Sequence, residues 1–160
     1  MKKISAKTLM ILAGCITAFA FLTFFLPPLV GIKTNYMFYK VYFPNGYYHG
    51  AIGSLIAYLM ILGAATLFFL SAFVFNKNER LYCLIAVLLL IVACVLLYFT
   101  PQFYVNSLWA PDYVTPETVA SAKAEQLSTT SLGIGVISGM AISLVSALAG
   151  AWCVRELKGK

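Results

Sequence analysis

The sequence predicts an all-α integral membrane protein, a four-transmembrane-helix bundle with both termini on the inner side (N-in/C-in). Three observations carry that prediction. Of 160 residues, 62% are hydrophobic and 10% charged, and mean hydropathy is +0.91. Soluble domains carry about 25% charged residues, so this chain has too little polar surface to cover a water-soluble globule. Four uncharged runs make up more than half its length, and the basic residues between them are unevenly distributed. The same charge deficit excludes a disordered or nucleic-acid-coating chain. No internal repeat is apparent and no soluble domain fits in the remainder, so residues 1–160 read as a single four-span membrane domain.

The spans are predicted at Thr8–Leu26, Ala51–Phe75, Leu81–Phe99 and Leu132–Val154, with 19, 25, 19 and 23 residues. A hydrocarbon core of ~30 Å needs about 20 helical residues at 1.5 Å each, so all four reach across. The first span follows Met1-Lys2-Lys3, which also resembles a secretory signal. Leu12-Ala13-Gly14-Cys15 even matches a lipoprotein cleavage box. The apolar region before Cys15 is minimal, however, and the residues after it stay apolar, so the expectation is an uncleaved helix. The second span is long enough to tilt. The third is dominated by Leu, Ile and Val, the composition of a lipid-facing helix. The fourth carries Gly135, Gly139, Ser143, Ala147 and Ala151 at i, i+4 spacing, with Ser138, Ser146 and Gly150 beside them. In lipid, small residues let helix backbones approach closely, so this row is predicted to be a helix-packing interface within the chain or between chains.

With an inner N-terminus, the inner segments hold Lys2, Lys3, Lys7, Lys77, Arg80, Arg155, Lys158 and Lys160, and the outer loops hold Lys33, Lys40 and Lys123. Eight against three satisfies the positive-inside rule. The net charge of +6 then lies on the cytoplasmic face, with anionic lipid headgroups as the expected partner and no nucleic acid. The Met-Lys-Lys start and the lack of an N-x-S/T sequon fit a bacterial cytoplasmic membrane.

The outer loops are predicted at 27–50 and 100–131. The first is rich in aromatic residues, and Pro44-Asn45-Gly46 is a turn signal. Asn-Gly suits a tight hairpin turn, and its flanks, Tyr36–Phe43 and Tyr47–Gly50, are rich in strand-favouring residues, so the expectation is a small β-hairpin or a structured turn at the interface. In the second loop, Thr115-Pro116-Glu117 offers a hydroxyl N-cap, Pro at the first helical position and an acid in the first turn. A helix is expected from Pro116, either continuous with span four, reaching ~58 Å, or broken at Ser128–Ser131 with Ser131 as a second cap. The loops carry charges of +2 and −2, which predicts that they pack on each other, mainly through aromatic burial. Tyr36, Tyr39, Tyr42, Tyr47, Tyr48 and Trp109 are the candidate outer-loop contact residues.

The four-span plan with a β-prone first outer loop resembles claudin-like tetraspans in outline. The tryptophan and paired-cysteine signature of that loop is missing, so the resemblance is one of architecture and implies no function.

No predicted span contains Asp, Glu, Lys, Arg or His, which disfavours proton relays and ion-coupled carriers. Cys15, Cys83, Cys94 and Cys153 all lie in or at the ends of spans, without a C-x-x-C or a zinc-type cluster. That removes the reading as a quinone-linked disulfide oxidase. Cys83 and Cys153 both fall near the inner face. His49 lacks ligand spacing, and no catalytic or nucleotide-binding motif is present. No catalytic, cofactor or metal residue is therefore assigned. The expected function is that of a non-enzymatic accessory, assembly or protective (immunity-like) subunit, a homo-oligomer or the partner of another membrane protein. The alternative is a small oligomeric channel or uncoupled transporter lined by Ser138, Ser143 and Ser146.

Overall fold

The apolar runs fold as four long helices, each long and apolar enough to span a membrane, and the chain is an all-α integral membrane bundle. The computed structural model describes residues 5–31, 35–36, 38–44, 49–74, 78–108 and 115–157. In chain order the elements are α1 (Ala6–Leu22), a 3-10 turn (Thr23–Phe25), β1 (Leu29–Val30), β2 (Asn35–Tyr36), α2 (Phe38–Tyr42), α3 (Ile52–Phe73), α4 (Glu79–Tyr98), α5 (Thr100–Asn106), α6 (Pro116–Thr129), β3 (Ser131–Leu132) and α7 (Ile134–Glu156). Helices α1 and α4 each pack on both α3 and α7, so the four long helices stand at the corners of a square in chain order. One end of this square carries the strands and short helices, and is called here the loop end; the other, the terminal end, carries the start of α1 and the end of α7.

Packing follows a heptad rhythm that the i, i+4 reading of the sequence did not anticipate. Buried residues step alternately by four and three in every long helix. The rows are Ala6-Met10-Ala13-Thr17-Ala20 in α1 and Ser54-Tyr58-Ile61-Ala65-Phe68-Ala72 in α3. In α4 and α7 they are Cys83-Ala86-Leu90-Ala93-Leu97 and Gly139-Ser143-Ser146-Gly150-Cys153. A 3.5-residue repeat keeps one face of a helix against its neighbours over many turns. A strict i, i+4 row instead drifts by about 40° per step, since four residues turn a helix by about 400°. Gly135, Gly139, Ser143 and Ala147 are accordingly buried, but Ala151 has rotated out and is exposed. The seam continues through Ser146, Gly150 and Cys153 instead.

Small and hydroxyl-bearing side chains dominate these rows, while Leu, Ile, Val and Phe crowd the exposed positions. That is the distribution expected where lipid is the solvent, because close backbone approach and interhelical hydrogen bonds hold the helices together there.

The first loop holds a short antiparallel strand pair, at other residues than the sequence predicts. The strands are β1 and β2, and β3 pairs with the other edge of β1, giving an antiparallel three-stranded sheet in the order β2-β1-β3. Phe38–Tyr42, expected to be strand, is a helical turn. A helix places Phe38, Val41 and Tyr42 on one face, and Val41 and Tyr42 are fully buried with Phe38 packed against the core; an alternating strand would turn Val41 or Tyr42 away. The expected turn at Asn45-Gly46 lies outside the described residues.

Helix α6 begins as the sequence predicts. Thr115 Oγ1 accepts from the Thr118 N–H at 3.4 Å, and Pro116 and Glu117 occupy the first turn. It is not continuous with α7. Ser131 is not a helix cap but part of β3, and Gly133 is the residue that caps α7. Pairing of Leu132 with Leu29 and of Ser131 with Val30 sets the break. The Gly133 and Gly135 N–H groups, which open α7, donate to the Pro28 and Pro27 carbonyls at 2.8 and 2.9 Å. The unpaired donors of the helix start are thereby met by backbone of the first loop. A Cβ at Gly133 would lie 2.4 Å from the Pro27 oxygen, so the crossing requires glycine there.

Candidate functional site

Three polar features lie along the bundle, and the loop end carries the first. Phe24 is the centre of an aromatic cluster, stacked on Tyr42 with ring centroids 4.8 Å apart and meeting Tyr58 edge-on at 5.2 Å. The Tyr58 hydroxyl donates to the Gly135 carbonyl at 3.3 Å and lies 3.5 Å from Thr23 Oγ1. Tyr42 is 1% exposed, and its hydroxyl has no hydrogen-bond partner. Burial pushes this phenol well above the ordinary tyrosine range.

Deeper in the bundle, the Thr17 and Ser146 hydroxyls hydrogen-bond to each other. Both also approach the Ala13 carbonyl, at 2.7 and 2.9 Å. This joins α1 to α7 at mid-bundle. One helical turn away, Ser143 Oγ is buried without a partner. Toward the terminal end the seam is closed by Phe68, whose ring would sit 2.6 Å from a Cβ at Gly150.

The third feature is a thiol pair. Cys83 of α4 and Cys153 of α7 are fully buried with their sulfurs 4.0 Å apart, and the Cys153 thiol lies 3.6 Å from the Ala6 carbonyl of α1. Three helices therefore meet at these two side chains. All four cysteines are free thiols. Among the described residues, no group of three or more His, Cys, Asp or Glu is placed to hold a metal ion.

The predicted contact residues separate. Tyr39 is half-exposed on α2, whereas Tyr42 is a core residue and presents nothing to a partner. Tyr36 stands in β2, and Tyr47, Tyr48 and Trp109 lie outside the described residues. Thr17, Thr23 and Tyr58 were not singled out from the sequence. Their signal was available, since each is a hydroxyl inside an apolar run. His49 is exposed, and its backbone N–H joins the first loop to the end of α5 through the Ser107 carbonyl at 2.9 Å. No family model, curated protein or solved structure matches this chain.

Proposed function

We propose that this protein is a non-enzymatic accessory or assembly subunit of a membrane, which presents its outer loops, and α6 above all, to another membrane protein. The observation that carries this reading is the state of α6. It is a 14-residue helix with hydroxyl and proline start signals, yet none of its side chains is buried. A helix of that length is marginal without substantial packing, and α6 packs only lightly, on α5. Val119, Lys123 and Gln126 turn toward the bundle as half-buried residues, and Lys123 reaches the Asn106 carbonyl at 3.2 Å. The opposite face, with Glu117, Ser121 and Ala124, is open. Protection against an extracytoplasmic toxin is one form of the same role. In this reading the cell membrane is a bacterial cytoplasmic membrane, and the terminal end faces the cytoplasm. Lys7, Arg80 and Arg155 there meet anionic headgroups.

The channel reading draws on the buried, unpartnered hydroxyl of Ser143. It is the weaker of the two, because Ser146 is engaged by Thr17 and Ala13 and Phe68 fills the seam beside Gly150. The deciding experiment is extraction of native membranes in mild detergent. The proposal expects a discrete complex larger than the single chain, which dissociates in Ala124→Arg while the melting temperature of the isolated chain is unchanged. A single-chain particle from native membranes, or conductance in liposomes from the purified protein alone, overturns it.

A further inference from the structure

Two thiols converge near the terminal end from positions 70 residues apart in the chain. Cys83 and Cys153 are fully buried, neither is in a disulfide, and their sulfurs stand 4.0 Å apart. The Cys153 thiol also lies 3.6 Å from the Ala6 carbonyl, so α1, α4 and α7 all contribute to the cluster. Of the four cysteines, only these two belong to the buried packing rows, and there they face each other. Cys15 is exposed and Cys94 half-buried. Cys83 lies in the second turn of α4 and Cys153 in the last turn of α7. The pair is therefore about one helical turn, ~5 Å, inside the end of the bundle.

The spacing suits two ligands of one metal ion. A metal–sulfur bond of ~2.3 Å sets two thiolates about 3.8 Å apart at a tetrahedral angle, about 4.0 Å at a trigonal one and about 4.6 Å in a line. The observed 4.0 Å is the trigonal spacing, and the Ala6 carbonyl lies at a distance suited to a third, weaker donor. The donor set also narrows the metal. Structural zinc takes four donors, and among the described residues no group of three or more His, Cys, Asp or Glu supplies them. A soft monovalent cation needs only two or three donors, and thiolates select Cu(I). Two thiolates about Cu(I) leave a net charge of −1, and Arg80 and Arg155 stand within one turn of the cysteines along the chain. Helix ends open locally at little cost, which gives the ion a route to sulfurs that the closed bundle covers.

We propose that Cys83 and Cys153 bind one Cu(I) ion, which clasps α4 to α7 at the terminal end. Each thiol gives up its proton to solvent and forms one sulfur–metal bond, so two protons are released and copper keeps its oxidation state.

The test uses the full chain, purified in detergent with ascorbate as reductant, loaded with Cu(I) and challenged with the chelator bathocuproine disulfonate. One copper retained per chain, counted by native mass spectrometry, is the expected result, with a raised melting temperature. Cys15→Ala/Cys94→Ala should retain copper as the parent does. Loss of an outer-shell partner alone costs ~10–100-fold in metal affinity, so Cys83→Ser and Cys153→Ser, which each remove a ligand, should lose at least that much. Copper X-ray absorption on the loaded parent should show sulfur neighbours at ~2.3 Å. The proposal is overturned if the parent retains no copper, if either serine variant retains it equally, or if the absorption shows no sulfur. If the serine variants fail to fold, retention by the parent and its absorption spectrum decide the matter.

Discussion

At position 139 there is no room for a methyl group. A Cβ there would lie 2.7 Å from Thr23 Oγ1 and 3.3 Å from the Tyr58 hydroxyl. In lipid, Gly139→Leu carries no transfer penalty and even favours insertion, so any loss of stability reports overpacking, which costs about 1–3 kcal/mol. Gly139→Leu is expected to lower the melting temperature of the purified protein or to dissociate an oligomer. Leu88→Ala, on the exposed face of α4, is expected to be much milder; equal behaviour of the two would show that the seam does not limit stability. Tyr42 gives a prediction with a pH sign. Its folded-state pKa is raised above the ordinary value of 10.0, so the folded chain holds a proton that the unfolded chain releases once pH passes that value. The resulting stabilisation is complete below pH 10 and declines as pH rises beyond it. Thermal melts of Tyr42→Phe should be as stable as the parent at neutral pH, since the lost hydroxyl had no partner. Above pH 10 the variant should lose less stability than the parent. The thiol pair makes a third test. Two sulfurs at 4.0 Å need to close to about 2.05 Å for a disulfide. Diamide, a membrane-permeant oxidant that is itself reduced to the hydrazine, should remove two hydrogens from the intact mass of the parent. It should leave Cys83→Ser unchanged; no mass change in the parent would show that the bundle holds these sulfurs apart.

At the scale of elements, the joint between α6 and α7 depends on Gly133 and on the carbonyls of Pro27 and Pro28. Gly133→Ala should open the β1–β3 pairing and leave the spans in place. Faster hydrogen exchange at Leu29, Val30 and Leu132, with unchanged exchange in α3 and α4, is the expected pattern. Most of the four spans was legible in the sequence, because hydropathy over 19 or more residues has few competing explanations. The start of α6 was legible too, since Thr115, Pro116 and Glu117 each act through local chemistry. What escaped was long-range. Nothing near Ser131 announces that a two-residue strand will pair with Leu29 and Val30, about a hundred residues earlier. Likewise, the helical turn at Phe38–Tyr42 follows from a core that its own residues do not encode. The packing row was half legible. The small residues Gly135, Gly139, Ser143 and Ala147 are buried, but the i, i+4 template leads to exposed Ala151 where a 3.5-residue repeat leads to Gly150 and Cys153. Of the candidate contact residues, Tyr42 lies buried in the core; aromatic side chains near a membrane surface serve equally well as belt, contact or core.

For the whole molecule, the proposed orientation is open to a direct measurement. Single cysteines in a Cys-less background at Asn45 and Asp112 should react with an impermeant thiol reagent in intact cells, and one at Lys77 should not. The reverse pattern would overturn the orientation and, with it, the placement of α6 outside the cell. The square of helices closes on itself in a particular way: α7 completes it by packing on both α1 and α4, and its first turn is received by the Pro27 and Pro28 carbonyls. In a growing chain those carbonyls and the free edge of β1 exist long before their partners do. They are made with the first helix, while the residues that meet them belong to the last. The early chain must therefore wait with an unmet strand edge at the membrane surface through the synthesis of two further spans. Closure of the sheet is then a late event that registers arrival of the segment leading into the fourth helix, and a chain truncated before Ser131 would present that open edge to whatever inspects unfinished membrane proteins.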